Sequence, residues 1–319
     1  MEERHRLALA IACAYAMAAF AFLMKQRFPK LDGRWIGWIL MPAILACPLF
    51  LSADRIMLRA LAAFLVNEVA MKVVDFFRRN RSLSFRDFVW LMVPFPTLAI
   101  VFPKYKRRLA QPDDPWPHLV RIVVGSLWVV ASFMLLHQAQ RVDFLRSNFA
   151  LDHAYKLLLF IPTIEAISRV LFALERLAGF DTTPVIHNAY LARTPAEFWR
   201  RYNGRVHDWM IANVYEPTGG RRAPVRGVTT VFLFSGVFHE LMFGIATSRF
   251  DGSQLLFFLL QIPGVLASGI LERFSRRNGV WGRVFAHVVT IFFMAATSVL
   301  FFKGMSRVFP FVYASPTPG

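Results

Sequence analysis

Long apolar runs, separated by connections rich in arginine and lysine, recur along the chain and constrain its fold more than any other feature. Each run approaches the roughly 17–25 residues that a helix needs to cross a bilayer. A composition with 56% hydrophobic residues is also far from that of a soluble globular protein. The sequence therefore predicts an all-α, multi-pass integral membrane protein with about nine transmembrane helices. The runs cover residues 7–23, 35–51, 56–77, 88–102, 119–137, 155–177, 228–246, 255–271 and 284–302.

The run at 88–102 is expected to be irregular. It is short and contains Pro94 and Pro96, which predicts a broken or re-entrant helix. We expect one membrane domain over residues 1–319. It divides into N-terminal helices (1–177), an amphipathic helix with a basic loop (178–227) and C-terminal helices (228–319).

The net charge of +17 comes from basic residues that lie between the apolar runs rather than inside them. Loops of this kind facing anionic lipid explain most of the charge, and nucleic-acid binding is not expected because no soluble basic fold is present. Basic groups at 25–34, 78–86, 104–108, 193–226 and 273–283 do not alternate between successive loops. With nine spans, the last three groups would share a side with the N-terminus, and the size of the 193–226 group favours the cytoplasm for that side. The host would be a bacterial inner membrane or the endoplasmic reticulum.

Charged residues inside two of the runs stand at helical spacing. Glu68, Lys72 and Asp75 follow one another at intervals of four and three, and Glu165 precedes Arg169 by four. Opposite charges at these spacings pair along one helix face. We therefore expect internal ion pairs, or packing beside a water-filled cavity, in both runs.

A helix start is signalled at Thr194, because Thr194 and Glu197 form a capping box around Pro195. The predicted helix is amphipathic, continues to about Val214 and lies in the interface or dips into it. Asn203 and His207 are four residues apart on one edge of its apolar face. They either form part of a site or merely cap neighbouring carbonyls and reach lipid headgroups.

A single histidine, His239, stands about halfway along the run at 228–246. An ionisable group at that depth is a functional-site hypothesis by default, although a hydrogen-bonded core histidine is the alternative. Apolar surroundings disfavour the charged imidazolium. The neutral ring can accept a proton, which is the state that a general base requires.

Two stretches, EFWRRYNGRVHDW…NVYEP and FLFSGVFHELMFG, together resemble the membrane-bound O-acyltransferase superfamily and its wax synthase branch. In that branch an FW-x-R-x-W-N element precedes V-Y-x-P and a later S-G-x-x-H-E helix. The resemblance extends upstream through PLFLSADRIM and SLSFRDFVW, so it covers nearly the whole chain. Asn203 matches the family asparagine and His239 the histidine regarded as catalytic. Tyr202 replaces the usual tryptophan before the asparagine, which leaves the substrate open.

The resemblance implies transfer of an acyl group from acyl-CoA to a hydroxyl inside the membrane. Wax ester synthesis from a long-chain alcohol is the leading hypothesis, and diacylglycerol, a polysaccharide or another hydroxylated acceptor is the alternative. A distant alternative is a proton-coupled transporter, in which His239, Glu165 and Glu68 would relay protons. No metal and no resident cofactor are expected, acyl-CoA being a co-substrate, and the partners are membrane lipids and the acceptor.

Roles for individual residues follow from the resemblance. His239 would be the general base, and the amide of Asn203 would stabilise the charge that develops on the carbonyl oxygen. Guanidinium groups suit the phosphates of CoA. The expected supporting residues are Tyr202, His207, Ser235 and Glu240, and the expected phosphate-binding residues are Arg200, Arg201, Arg205, Arg221, Arg222 and Arg226.

Overall fold

The described parts of the computed structural model, residues 2–28, 33–78, 83–94, 107–310 and 312–313, are built from α-helices joined by turns and by a longer loop at 178–194. These helices are α1 Glu3–Arg27, α2 Arg34–Ala46, α3 Ile56–Arg78, α4 Phe85–Met92, α5 Pro115–Ala139, α6 Asp143–Arg146, α7 Phe149–Leu177, α8 Pro195–Tyr202, α9 Gly204–Met210, α10 Pro224–Thr247, α11 Ser253–Arg277 and α12 Gly279–Val308. Single turns of 3-10 helix follow α2 and precede α8 and α10, and a π-helical turn, Ile211–Tyr215, extends α9.

Six of these helices, α1, α5, α7, α10, α11 and α12, are long and apolar enough to cross a membrane. The predicted all-α, multi-pass architecture is confirmed, but the predicted count of nine spans is not. The apolar stretch Arg34–Phe50 is shorter than the six, and α3 carries charges along its length. Within the described residues, the run at 88–102 includes the end of α4, whose last residue is Met92, and its part from residue 95 onward lies outside the described residues.

Contacts between helix ends define two sides of the molecule. Near the start of α1, the Ser52 hydroxyl donates to the Glu3 carboxylate (2.6 Å). Arg59, in the first turn of α3, donates to the hydroxyl of Ser248, which follows α10 (2.7 Å). The start of α1, the start of α3 and the end of α10 therefore lie on one side, which we call the amino-terminal side.

The other side, which we call the opposite side, gathers the ends of α3 and α7. Arg205 of α9 pairs with Glu175 near the end of α7, and the Trp209 indole donates to the Met71 carbonyl in the second half of α3 (3.0 Å). Asp113, just before α5, pairs with Arg176 of α7. The start of α5 thus lies on this side as well.

The segment around α4 begins and ends on the opposite side. Gln26, at the end of α1, donates to the Leu83 carbonyl (2.8 Å), and Arg108 donates to the Ala178 carbonyl just beyond α7 (2.7 Å). Residues 83 and 108 thus lie on the same side of the molecule, whereas a span at 88–102 would place them on different sides. The basic group at 193–226 lies across the molecule from the N-terminus, not beside it.

The predicted internal ion pairs are confirmed. Lys72 lies 2.6 Å from Glu68, and Arg169 lies 3.3 Å from Glu165. Asp75 accepts from Arg78, 2.7 Å away. The first of these pairs is almost fully buried, so its two charges compensate each other inside the helix bundle.

Two packed groups of helices leave a large cavity between them. One apolar core joins α1, α2, α3 and α4 with α9 and α10, with Trp209 fully buried at its centre. On the other side of the cavity α5 packs on α7, where Gly125 lets Val170 approach the backbone closely. The cavity has a volume of about 2260 Å³ and is lined by α3, α5, α7 and α8 to α12.

Candidate active site

Asn203 breaks the helix that the sequence predicts to continue to Val214. The capping box forms as expected, since the Thr194 hydroxyl accepts from the Glu197 amide (3.1 Å). Helix α8 ends at Tyr202, however, and Asn203 adopts φ −148° and ψ 82°, outside the helical region. Its Oδ1 accepts from the Val206 amide (3.1 Å), which makes it the N-cap of α9. An asparagine followed by glycine favours such a cap over a continuous helix.

The cap leaves the amide nitrogen of Asn203 available. Its Oδ1 is occupied by Val206, whereas Nδ2 donates to none of the described residues. Asn203 lines the cavity. The side chain therefore presents a hydrogen-bond donor that is held in place by the helix start it caps.

The contacts of His239 fix its tautomer. Nδ1 lies 2.8 Å from the backbone carbonyl of Ser235, one turn earlier in α10. A carbonyl oxygen only accepts, so Nδ1 carries the proton and Nε2 carries the lone pair. Within the described residues Nε2 has no hydrogen-bond partner, and the residue lines the cavity. The ring thus offers a neutral, basic nitrogen to whatever occupies the cavity.

Aromatic rings hold the imidazole of His239 on two sides. Its centroid lies 4.4 Å from that of Phe258 on α11 and 6.0 Å from that of Phe301 on α12. The sequence did not single out either residue, because a phenylalanine in a chain with 33 of them carries no signal of its own. Only the packing of three helices brings these rings together.

The cavity gathers most of the predicted site. Besides Asn203 and His239, it is lined by Tyr202, His207 and Ser235. Tyr202 stacks on Phe198, with centroids 5.3 Å apart, and burial raises the pKa of its phenol to about 12. Tyr202 therefore stays protonated through the physiological range and forms part of the cavity wall.

Glu240 turns away from the histidine beside it. Its carboxylate accepts four backbone N–H groups at the start of α11, from Asp251, Gly252, Gln254 and Leu255. The sequence places Glu240 next to the expected general base, and in the structure its carboxylate oxygens accept from the amides at the start of a neighbouring helix.

The six predicted phosphate-binding arginines, all within the described residues, have different surroundings. Arg221 lines the cavity and is exposed. Arg205 is fully buried and forms a two-pronged pair with Glu175, at 2.8 and 2.6 Å. Arg201 is bound to Glu197 and Arg226 to the Thr218 carbonyl, each at 2.5 Å. The remaining two, Arg200 and Arg222, are exposed.

Comparison with known sequences decides the family. The profile of the membrane-bound O-acyltransferase family matches residues 102–302, which include both Asn203 and His239. The chain belongs to the membrane-bound O-acyltransferase family. This confirms the resemblance that the two motifs predicted, and it supports the predicted enzyme class, an acyltransferase.

Several members of this family with curated names are similar to the chain. "Probable long-chain-alcohol O-fatty-acyltransferase 7" of Arabidopsis thaliana is 29% identical over 66% of this chain and 64% of its own length. "Diacylglycerol O-acyltransferase 1C" of Glycine max is 28% identical over 41% of this chain and 26% of its own length. "Probable sterol O-acyltransferase 2" of Schizosaccharomyces pombe is 26% identical over 54% of this chain and 35% of its own length. The chain thus spans less than two thirds of the length of each relative.

Proposed function

We propose that this protein transfers an acyl group from acyl-CoA to the hydroxyl of a lipophilic alcohol within the membrane. The observation that carries the proposal is that one cavity is lined by both His239 and Asn203, whose Nε2 and Nδ2 atoms have no hydrogen-bond partner among the described residues. A base and an oxyanion donor are the two groups that esterification by a thioester needs.

The reaction follows from these two groups. Nε2 of His239 takes the proton of the acceptor hydroxyl as its oxygen attacks the thioester carbonyl. Nδ2 of Asn203 donates to the oxygen that becomes negative, a contribution of about 3–4 kcal/mol for one such donor. The new C–O bond remains, the C–S bond breaks, and the imidazolium returns its proton to the departing CoA sulfur.

The cavity favours a long-chain alcohol as acceptor. Its walls consist mainly of apolar side chains from membrane helices, which suit an alkyl chain and leave the many hydroxyls of a sugar unpaired. The Arabidopsis relative that aligns over 66% of this chain has long-chain alcohols in its name. Wax ester formation is therefore the leading proposal, and diacylglycerol is the second, because the Glycine max relative is named for it.

We propose that acyl-CoA approaches from the opposite side. Arg221 stands on the cavity at the start of α10, and the exposed Arg200 and Arg222 lie on the same side. Their guanidinium groups would contact the phosphates of CoA while the thioester reaches His239. Arg205, whose charge is compensated by Glu175, has no part in this role.

The test supplies purified protein in lipid vesicles with radiolabelled palmitoyl-CoA and three acceptors: hexadecanol, diacylglycerol and a soluble sugar. We expect labelled wax ester as the main product and its loss in His239→Ala. The matched control is His137→Ala, an exposed histidine of α5, which should keep the activity. Ester with the sugar and with neither lipid would overturn the acceptor class, and full activity of His239→Ala would overturn the mechanism.

A further inference from the structure

Glu240 supplies the N-terminal cap of a helix other than its own. Its Oε1 accepts from the amides of Asp251 (3.0 Å) and Gly252 (2.9 Å), and its Oε2 accepts from those of Gln254 (3.1 Å) and Leu255 (3.4 Å). These amides lie at the start of α11, whereas Glu240 belongs to α10. One carboxylate thus satisfies four donors across a helix interface.

The sequence of α11 explains why it needs this cap. The first amides of a helix have no partner within the helix, and a side chain at the N-cap normally accepts from one of them. The N-cap of α11 is Gly252, which has no side chain and adopts φ 75°, a conformation that other residues rarely tolerate. A negative charge placed there also interacts favourably with the helix dipole. The Asp251 carboxylate accepts from the first amide of α11, that of Ser253 (3.0 Å), and Glu240 accepts from the next two, those of Gln254 and Leu255.

The same turn of α11 fixes the rings around His239. Gln254 donates through Nε2 to the carbonyls of Leu300 (3.2 Å) and Phe301 (3.0 Å) on α12. One turn beyond Gln254, Phe258 contacts the imidazole of His239, and Phe301 faces the same imidazole. The capped turn of α11 is therefore connected to both rings that contact His239: to Phe258 along α11, and to Phe301 through Gln254.

We infer that Glu240 is a positioning residue. By holding the start of α11, it fixes the position of α11 along the axis of α10 and thereby orients the imidazole of His239. The inference rests on the proposed function for its effect on rate, but the cap itself does not depend on that function. The rival role is a direct electrostatic effect of the carboxylate charge on the neighbouring imidazole.

Three substitutions of Glu240 separate the two roles, because each role predicts a different order of their activities. Glu240→Asp keeps the charge but is one methylene shorter, so it cannot reach the amides of α11. Glu240→Gln loses the charge but keeps the length and one accepting oxygen. Capping predicts that Gln retains more activity than Asp, with Asp close to Glu240→Ala. A charge effect predicts that Asp retains the most activity and that Gln matches Ala.

If Glu240 acts as a cap, kcat of Glu240→Ala should fall about tenfold to a hundredfold, because a small misplacement of a reacting group has an effect of this size. KM for palmitoyl-CoA should change less than about twofold. Glu272→Gln, at an exposed carboxylate near the end of α11, is the matched control and should keep the wild-type kcat. The reverse ranking of Asp and Gln, or an unchanged kcat in Glu240→Ala, would overturn the inference.

A second measurement is independent of catalysis. Hydrogen–deuterium exchange of the peptide that covers residues 250–256 should be at least about tenfold faster in Glu240→Ala than in wild type or Glu272→Gln. Unchanged exchange would reject the cap even if kcat falls. Faster exchange in a protein that forms no ester with any acceptor would retain the cap and reject the proposed function instead.

Discussion

At the scale of single residues, two side chains of the candidate site use one atom for structure and leave another for the chemistry that we propose. Asn203 caps α9 through Oδ1, and His239 donates from Nδ1, while neither Nδ2 of Asn203 nor Nε2 of His239 bonds to another described residue. In both cases the structural bond orients the reactive atom. A substitution can therefore remove one of the two roles and keep the other.

Asn203→Asp is the substitution that separates these roles. Aspartate keeps the accepting oxygen that caps α9 but has no amide N–H, so kcat should fall about 10²–10³-fold while the melting temperature stays within about 2 °C. Asn203→Ala removes both atoms and should also lose about 0.5–2 kcal/mol of stability. The assay for wax ester and a thermal melt in detergent measure the two effects. If both variants retain wild-type kcat, Asn203 does not contact the reacting carbonyl.

The arginines also have two separate roles at this scale, one in stability and one in the proposed binding of acyl-CoA. Arg205→Met leaves Glu175 buried without its partner, so the free energy of unfolding should fall by about 3–5 kcal/mol.

Arg221→Ala removes an exposed charge at the cavity, so KM for acyl-CoA should rise several-fold with kcat and stability unchanged. Arg200→Met is the control for stability, because its side chain is exposed. A stable Arg205→Met with raised KM would reverse these assignments.

At the scale of helices, the S-G-x-x-H-E motif is explained by contacts between α10 and its neighbours. Ser235 provides the carbonyl that orients His239, and Glu240 caps α11. Gly236 faces the first turn of α11, where a Cβ atom would lie 3.2 Å from the backbone of Leu255. Each defined position of the motif therefore has its own contact, and three of the four bear on the position of the histidine.

Gly236→Ala tests the helix contact. The added methyl group must push α11 away from α10, which should cost about 1–3 kcal/mol of stability and displace Phe258 from His239. We expect a lower melting temperature together with a lower kcat. Gly269→Ala is the control, because its nearest contact is the end of a flexible arginine at 3.8 Å. A Gly236→Ala protein with wild-type melting temperature and kcat would show that α11 adjusts freely.

At the scale of the whole molecule, the basic groups share one side. The ends of α1, α3, α7 and α11 and the starts of α5 and α10 lie on the opposite side. The described residues of all five basic groups lie on these ends or on the segments that directly adjoin them. Their apparent failure to alternate in the sequence disappears once the segment around α4 is no longer counted as a span. The positive-inside rule then predicts that the opposite side faces the cytoplasm.

Cysteine labelling tests this arrangement. In a background with Cys13→Ala and Cys47→Ala, we expect Arg86→Cys and Arg107→Cys to be protected from an impermeant maleimide in intact cells, and Asp143→Cys to react. Permeabilisation should expose the first two, because they lie on one side and Asp143 on the other. Different labelling of Arg86→Cys and Arg107→Cys would show that the chain crosses the membrane between them.

The site was predictable from the sequence as far as local signals reach. A polar residue inside an apolar run carries a high cost, so His239 was identifiable without any structure, and the capping box located α8. The end of α8 was not predicted although its signal is local, because Asn203 is followed by glycine and caps α9 through the amide of Val206, three residues away. The sequence also could not assign Glu240 or Arg205, since their partners are 11–15 and 30 residues away in the chain.

The sequence by itself determined the class of fold, the family and the identity of the candidate base, because hydropathy and motif spacing are properties of neighbouring residues. The break at Asn203 and the tautomer of His239 come from contacts only three and four residues away in the chain. The tertiary structure alone decided the sidedness of the molecule, the helix that Glu240 caps and the ring contacts that hold His239. These features depend on which helix ends meet. Such pairings arise from packing between residues far apart in the chain, which no local pattern records.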